Sequence, residues 1–345
     1  MRWESQNVDA DDAGRLPGME ASTVIRRFDA PEALDMRFHE IRTKSALNRI
    51  PRSARLPFDW TVNPYRGCSH ACVYCFARPT HEYLDMNAGR DFEREIIVKV
   101  NVPEVLRAEL ARPSWRRERV ALGTNTDPYQ WVEGRYKLMR GIWEALRDFR
   151  NPCSILTKSP LLLRDLDLMK QIAAVTEMTA CLSIPTLDEK AWRATEPHTP
   201  NPKARIEAVA ELNRAGIPTG VLVAPLMPGI NDSPAMVERL FAAATEANAT
   251  YIGGQTLFLR GSVRRIFFDW LRSERPDLLD RYERLYAKGA YLQPAARREI
   301  EEAAGAPWVR KDYPADRFRH RRGFRRPAPA APPARPKTVI QESLF

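Results

Sequence analysis

Between residues 58 and 258 the chain alternates short apolar runs with longer amphipathic stretches, and this alternation limits the possible fold more than any other feature. Runs of strand length occupy 58–63, 120–124, 154–157, 179–184, 220–225 and 251–258. The stretches between them include 136–149, 165–175, 203–215 and 234–247, which read as helices. In the last of these, Met236, Leu240, Phe241 and Ala244 fall on one face at helical spacing. Ala215-Gly216, with Pro218 beyond it, is a helix stop. Short apolar strands separated by helices call for a parallel sheet with right-handed crossovers. Six such units predict an α/β fold, a partial (β/α)6 TIM-like barrel. Chemistry in such barrels sits on the loops at the C-terminal ends of the strands. A further apolar run at 96–100 fits either a strand or an excursion between strands.

The flanks read differently. Residues 1–24 predict a disordered arm, and 25–262 the core, with its cysteine-bearing loop at 63–78. Residues 263–313 predict a helical C-terminal extension, and 314–345 a basic Pro/Ala-rich disordered tail. Charge is concentrated in that last region. From Arg310 to Lys337 ten Lys/Arg face two Asp, so +8 of the net +10 lies there and the remainder is nearly balanced. A basic tail on a neutral body suits a polyanionic partner, nucleic acid first among them. No apolar run is long enough to span a membrane, and the acidic N-terminus has no apolar stretch of the signal-peptide kind. A soluble cytoplasmic protein is expected. Five cysteines, three of them clustered, do not make a disulfide framework and suit a reducing compartment.

Cys68, Cys72 and Cys75 directly follow the first strand in NPYRGCSHACVYCFARPTHEY. Three thiolates spaced this way can hold an iron–sulfur cluster or a zinc ion. For zinc, His70 or His81 would have to supply the fourth ligand. For a cluster, three protein ligands leave one iron open, which means chemistry rather than structure alone.

The Cys-x3-Cys-x-aromatic-Cys spacing, with Tyr74 before the last cysteine, resembles the signature of the radical S-adenosylmethionine (SAM) superfamily. Together with GTNTDPYQ, LTKSPLLLRDLDLM, SIPTLDE and APLMPGINDS it is similar to the DNA-repair-photolyase-like branch, relatives of spore photoproduct lyase. The resemblance runs from about residue 47 to 258. It implies a [4Fe–4S] cluster whose open iron chelates SAM, and a flavodoxin or ferredoxin as reductant. It implies one-electron cleavage of SAM to methionine and a 5′-deoxyadenosyl radical that removes a substrate hydrogen. By the same resemblance Tyr74 stands beside the cluster, and Thr126, Asp127, Lys158 and Ser183 are candidate SAM contacts. Asn231 and Asp232 are either contacts or part of a helix cap. Cys181 should share the interior face of Ser183, one layer deeper, and Cys153 should lie at the far end of the barrel. One departure matters: spore photoproduct lyases return a hydrogen from a cysteine near the end of the second strand, where Thr124 stands here. The substrate class implied is damaged or modified DNA. The alternatives are a protein or small-molecule substrate, or a non-catalytic iron–sulfur or zinc adaptor on DNA.

The chain ends in Gln341-Glu-Ser-Leu344-Phe345. This resembles the peptide that bacterial replication and repair proteins insert into the sliding clamp, with Leu344 and Phe345 as apolar anchors and Gln341 as the polar handle.

Overall fold

The computed structural model of the protein describes residues 24–51, 56 and 58–305. Apart from Val24, the expected N-terminal arm lies outside the described residues, as does everything after residue 305. The strands are β1 (Val24–Arg26), β2 (Arg37–Ile41), β3 (Leu47–Arg49), β4 (Trp60–Val62), β5 (Tyr65–Arg66), β6 (Glu95–Lys99), β7 (Val120–Leu122), β8 (Cys153–Thr157), β9 (Met178–Ser183), β10 (Thr219–Leu226) and β11 (Ile252–Thr256).

Seven of them form one sheet in the order β11-β10-β9-β8-β7-β4-β3. The six from β4 to β11 are mutually parallel and lie in sequence order, and β3 adds antiparallel to β4. These six are the apolar runs expected for a (β/α)6 barrel, and helices separate them. The helix Leu138–Asp148 buries Leu138, Met139, Ile142, Trp143, Ala145 and Leu146, spacing that a 3.6-residue period dictates. The helix Pro202–Arg214 stops where expected. Gly216 takes φ +83°, and the Gly216 and Ile217 amides return to the Asn213 and Leu212 carbonyls. In Pro234–Glu246 the buried face is Val237, Leu240 and Ala244, so Val237 rather than Met236 faces inward.

The run at 96–100 is a strand, but of a second sheet ordered β1-β2-β6-β5. Here β2 runs parallel to β6, while β5 pairs antiparallel to it across the start of the cysteine loop. After β11 come the helices Ser262–Glu274, Leu279–Leu285 and Pro294–Ala303. The first packs on the 3-10 turn Arg78–Leu84 that follows the cysteines. Among the described residues no helix is long and apolar enough to cross a membrane.

One boundary differs from expectation for a clear reason. β7 ends at Leu122 rather than at residue 124, because Gly123 turns the chain at φ +74° hard against β8. A Cβ at Gly123 would lie 1.9 Å from the Leu156 carbonyl oxygen. Gly123→Ala must therefore part β7 from β8 as well as strain the backbone. It is expected to cost at least about 2 kcal/mol in urea unfolding; an unchanged midpoint would refute this close approach.

Candidate metal centre

The loop that carries the cysteines has little secondary structure of its own, so its backbone groups must be satisfied from elsewhere. Gly67 starts the turn at φ +81°, where a Cβ would press on the Ile96 side chain and the Phe92 carbonyl. The Cys68 amide donates to the Phe92 carbonyl, and the Val73 amide to that of Thr195. Gln130, fully buried in the loop after β7, donates to the Gly67 carbonyl at 3.0 Å and accepts from the Ser69 amide at 2.9 Å. Arg78 closes the other side. Its guanidinium donates to the carbonyls of Ala71, Cys72, Ala88 and Gly89 at 2.9–3.2 Å and pairs with Glu93 at 2.5 Å.

Held this way, Cys68 and Cys72 are buried and Cys75 is half-buried. Burial pushes the Cys68 thiol well up, with Asp127 and the other two thiols adding to it. Burial also pushes Cys72 up to about 12 and raises Cys75. Burial thus favours the neutral thiol at all three positions, and metal binding favours the thiolate. Among the described residues no group of three or more His, Cys, Asp or Glu side chains converges on a single-ion site. A cluster asks for something different, because each thiolate binds its own iron. His81 is turned away, with Nε2 at 2.9 Å from the Glu95 carbonyl. Ser69 Oγ and His70 Nδ1 are buried without a hydrogen-bond partner; His70 Nδ1 stands 3.5 Å from Asp127 Oδ2. Burial lowers the His70 pKa, so the ring is neutral. His81 Nδ1 is likewise buried without a partner. Three thiols with open polar atoms nearby fit a cluster and its ligand, the cofactors that the resemblance implies.

Tyr74, Lys158 and Ser183, far apart in sequence, meet beside this loop. Residue 158 follows the end of β8, whose Thr157 pairs with Leu182, so its side chain comes level with Ser183. Lys158 Nζ donates to Ser183 Oγ at 2.8 Å and to Tyr74 Oη at 3.1 Å. It also pairs with Glu196 at 2.6 Å, and Tyr74 Oη donates to the same carboxylate. Arg205, fully buried, holds the other Glu196 oxygen at 2.7 Å. Burial pushes the Glu196 carboxyl up, but Lys158 and Arg205 outweigh it, with hydrogen bonds from Lys158 and Tyr74. The result is a pKa held down at about 2. Burial, then Glu196, raises the Tyr74 phenol well above its ordinary value.

Thr126 and Asp127 lie beyond β7, in the loop, and their polar atoms are already engaged. Thr126 Oγ1 donates to the Tyr65 carbonyl at 2.8 Å. Asp127 accepts from Thr157 Oγ1, the Tyr129 amide and the Lys158 amide at 2.6–2.9 Å. Asn231 spends its amide on Met227, Pro185 and Pro225, Asp232 accepts from the Gly229 amide, and Ser233 caps the next helix. Cys153 and Cys181 are buried, and burial pushes both thiols up to about 12. Gln341, Leu344 and Phe345 lie outside the described residues.

Arg78, Gln130, Glu196 and Arg205 do not stand out in sequence. Arg78 and Gln130 fall inside the segments NPYRGCSHACVYCFARPTHEY and GTNTDPYQ, which was the available signal. Glu196 sits in an unremarked stretch after β9, and Arg205 in the helix expected at 203–215, where nothing marked it as a site residue.

Comparison with known proteins adds the following. A family model described as the radical SAM superfamily matches residues 62–240. An uncharacterised protein of Mycobacterium tuberculosis (strain ATCC 25618 / H37Rv) is 46% identical over 349 aligned positions, covering 100% of both chains. An uncharacterised protein of Methanocaldococcus jannaschii is 28% identical over 195 positions, 56% of this chain and 69% of its own. Among solved structures, a spore photoproduct lyase complexed with dinucleoside spore photoproduct matches with a TM-score of 0.55 at 15% identity, covering 78% of this chain and 77% of that one. A mutant of that enzyme with bound AdoMet and the same dinucleoside also matches at 0.55 and 15%, covering 77% and 76%. At such identity the likeness is one of fold.

Arg78→Lys keeps the charge but loses the planar fork. The variant is expected to unfold about 3 kcal/mol more easily and to retain less iron after anaerobic reconstitution. Wild-type values in both urea titration and iron assay would show that the fork does not shape the loop.

Proposed function

Because the chain belongs to the radical SAM superfamily, we propose that it cleaves SAM reductively on a cluster held by Cys68, Cys72 and Cys75 and turns the resulting radical on a damaged or modified DNA base. The cofactors of the family are a [4Fe–4S] cluster and SAM. When bound, the cluster would pass one electron, taken from an external donor, to SAM, whose carbon–sulfur bond would break to give methionine and a radical able to take a substrate hydrogen and leave as 5′-deoxyadenosine. The protein's own part is to bind, orient and exclude water.

The observation that carries this reading is the Cys68–Cys75 loop itself, its backbone tied down by Arg78 and Gln130, with the buried Ser69 Oγ and His70 Nδ1 left without hydrogen-bond partners beside the thiols. In this reading Lys158, fixed by Glu196, meets the SAM carboxylate, with Ser183 and Tyr74 as its neighbours. Thr126 acts by tying the β7 loop to β5, and Asp127 by tying it to the β8 loop. A flavodoxin- or ferredoxin-type donor supplies the electron. DNA is favoured by the charge of +8 at 310–337 and by a fold shared with a lyase complexed with dinucleoside spore photoproduct. The reaction differs from that lyase's in its last step. Thr124 stands where the resemblance places the hydrogen-returning cysteine, and a hydroxyl O–H bond is too strong to replace a thiol.

Anaerobically reconstituted protein is expected to hold about four irons per chain and to form 5′-deoxyadenosine under dithionite. Cys72→Ala should abolish both. Lesion-bearing DNA should raise the yield, with deuterium from labelled DNA appearing in the product. Bound zinc, or no SAM cleavage, would overturn the enzyme reading. Cleavage indifferent to every nucleic acid would overturn the DNA substrate and favour a protein or small molecule.

The C-terminal peptide is proposed, on sequence alone, to recruit the enzyme to the sliding clamp through Leu344 and Phe345. Removing residues 341–345 should abolish capture of the clamp in a pull-down, and equal capture by the shortened chain would refute it.

A further inference from the structure

The C-terminal rim of β11 carries a surface that the cofactor site does not use. β11 ends at Thr256, and the chain passes through Phe258 and Arg260 before the helix Ser262–Glu274 begins. Two bonds draw the segment around residue 290 alongside. The Leu259 amide donates to the Ala290 carbonyl at 2.9 Å, and Tyr286 Oη donates to the Leu257 carbonyl at 2.8 Å. Phe258 and Tyr291 stack as a result, with centroids 4.3 Å apart and planes 28° from parallel. Phe258 is half-buried, whereas Tyr291 is 62% exposed. Tyr291 thus presents an aromatic ring to solvent, backed by the half-buried Phe258.

Arginines follow Phe258 closely in the chain, at 260, 264 and 265. Arg264, Arg265 and Arg272 line a cavity of about 490 Å³ with Gly261, Phe268 and Glu283. Arg264 is committed to the Tyr286 carbonyl and the Phe268 ring, and Arg272 to Asp269. Arg260 and Arg265 are exposed and have no acidic partner among the described residues. The helix that bears Arg265 packs on the turn 78–84 that follows Cys75, so this surface and the metal loop share one end of the sheet.

We propose that this rim receives an unpaired nucleic-acid strand, one base stacking on the Phe258–Tyr291 pair and the neighbouring phosphates meeting Arg260 and Arg265. This rests on the nucleic-acid reading of the function and deepens it. Chemistry on a base at a buried centre requires that base to leave its stack. A sequence-tolerant aromatic platform beside cations is how single strands are held.

The test uses the full chain and a single-stranded oligonucleotide carrying 2-aminopurine, read by anisotropy and by fluorescence quenching across a salt series. Tyr291→Ala is expected to weaken binding by about tenfold or more and to remove the quenching, whereas Tyr291→Phe keeps both. Arg260→Gln with Arg265→Gln should flatten the salt dependence by about 1.4 in log–log slope, the share of two single-strand phosphate contacts. Wild-type affinity and quenching in Tyr291→Ala, or equal loss in Tyr291→Phe, overturns the platform while leaving the nucleic-acid reading standing. A wild-type chain that binds no oligonucleotide overturns both.

Discussion

The buried guanidinium of Arg78 is the constraint on which the metal loop depends. A loop that must gather three thiols cannot also pair its own backbone, so its carbonyls need donors from outside. A single side chain, 1% exposed, serves carbonyls at 71 and 72 on one side and at 88 and 89 on the other. Only arginine presents so many donors in a rigid plane. The desolvation of its charge is offset by Glu93 and by the Phe92 ring, whose centroid lies 5.4 Å from the guanidinium carbon. Phe92 also accepts the Cys68 amide through its carbonyl. The short helix Arg90–Arg94 therefore anchors both the arginine and the first cysteine before the chain enters β6. This gives the second sheet a purpose: through β5 and β6 it fixes the base of the cysteine loop.

Charge beside the cysteines is arranged in the same economical way. Glu196 carries two cations, Lys158 and Arg205, and is itself 2% exposed. Neither cation could be buried there without it. The carboxylate stays ionised at neutral pH because two positive charges outweigh its desolvation. The thiols are opposite in character: burial, their first cause, raises all three and favours the neutral form. Metal loading and thiol deprotonation are consequently coupled. Lys158 is oriented independently of the metal, by its amide on Asp127 and by its ammonium on Ser183 and Glu196.

The six parallel strands were legible in sequence because each is an apolar run bounded by polar turns, and a parallel sheet buried on both faces demands that. The cysteines were legible because their spacing is local. The second sheet was not, since β2 reads Arg-Phe-His-Glu-Ile and its charged residues pair across to β6, with Arg37 and His39 both on Glu95. Such pairing is visible only once the strands are adjacent. Glu196 was missed for a similar reason: it stands 122 residues from Tyr74 and 38 from Lys158, and only the register of β8 on β9 brings these together. The end of β7 was misplaced because Gly123 yields to the Leu156 backbone, a contact with no local signature.

The strands divide their labour in a way that follows from these commitments. The loops after β5, β7, β8 and β9, with the end of β9 itself, supply the thiols, Gln130, Asp127, Lys158, Ser183 and Glu196, and most of their polar side chains are engaged with another group. The loop after β10 is spent on closing itself, through Asn231, Asp232 and the Ser233 cap. That leaves the β11 rim with exposed, uncommitted groups at the C-terminal end of the sheet. A site built this way keeps its cofactor half rigid and hydrogen-bonded, because a reactive species must be held at fixed reach. In the proposed reading the substrate would be met at the looser β11 rim, which can read shape and charge. Variation among relatives in what they act on would thus fall on β11 and the helices after it, where a substitution does not disturb the metal loop.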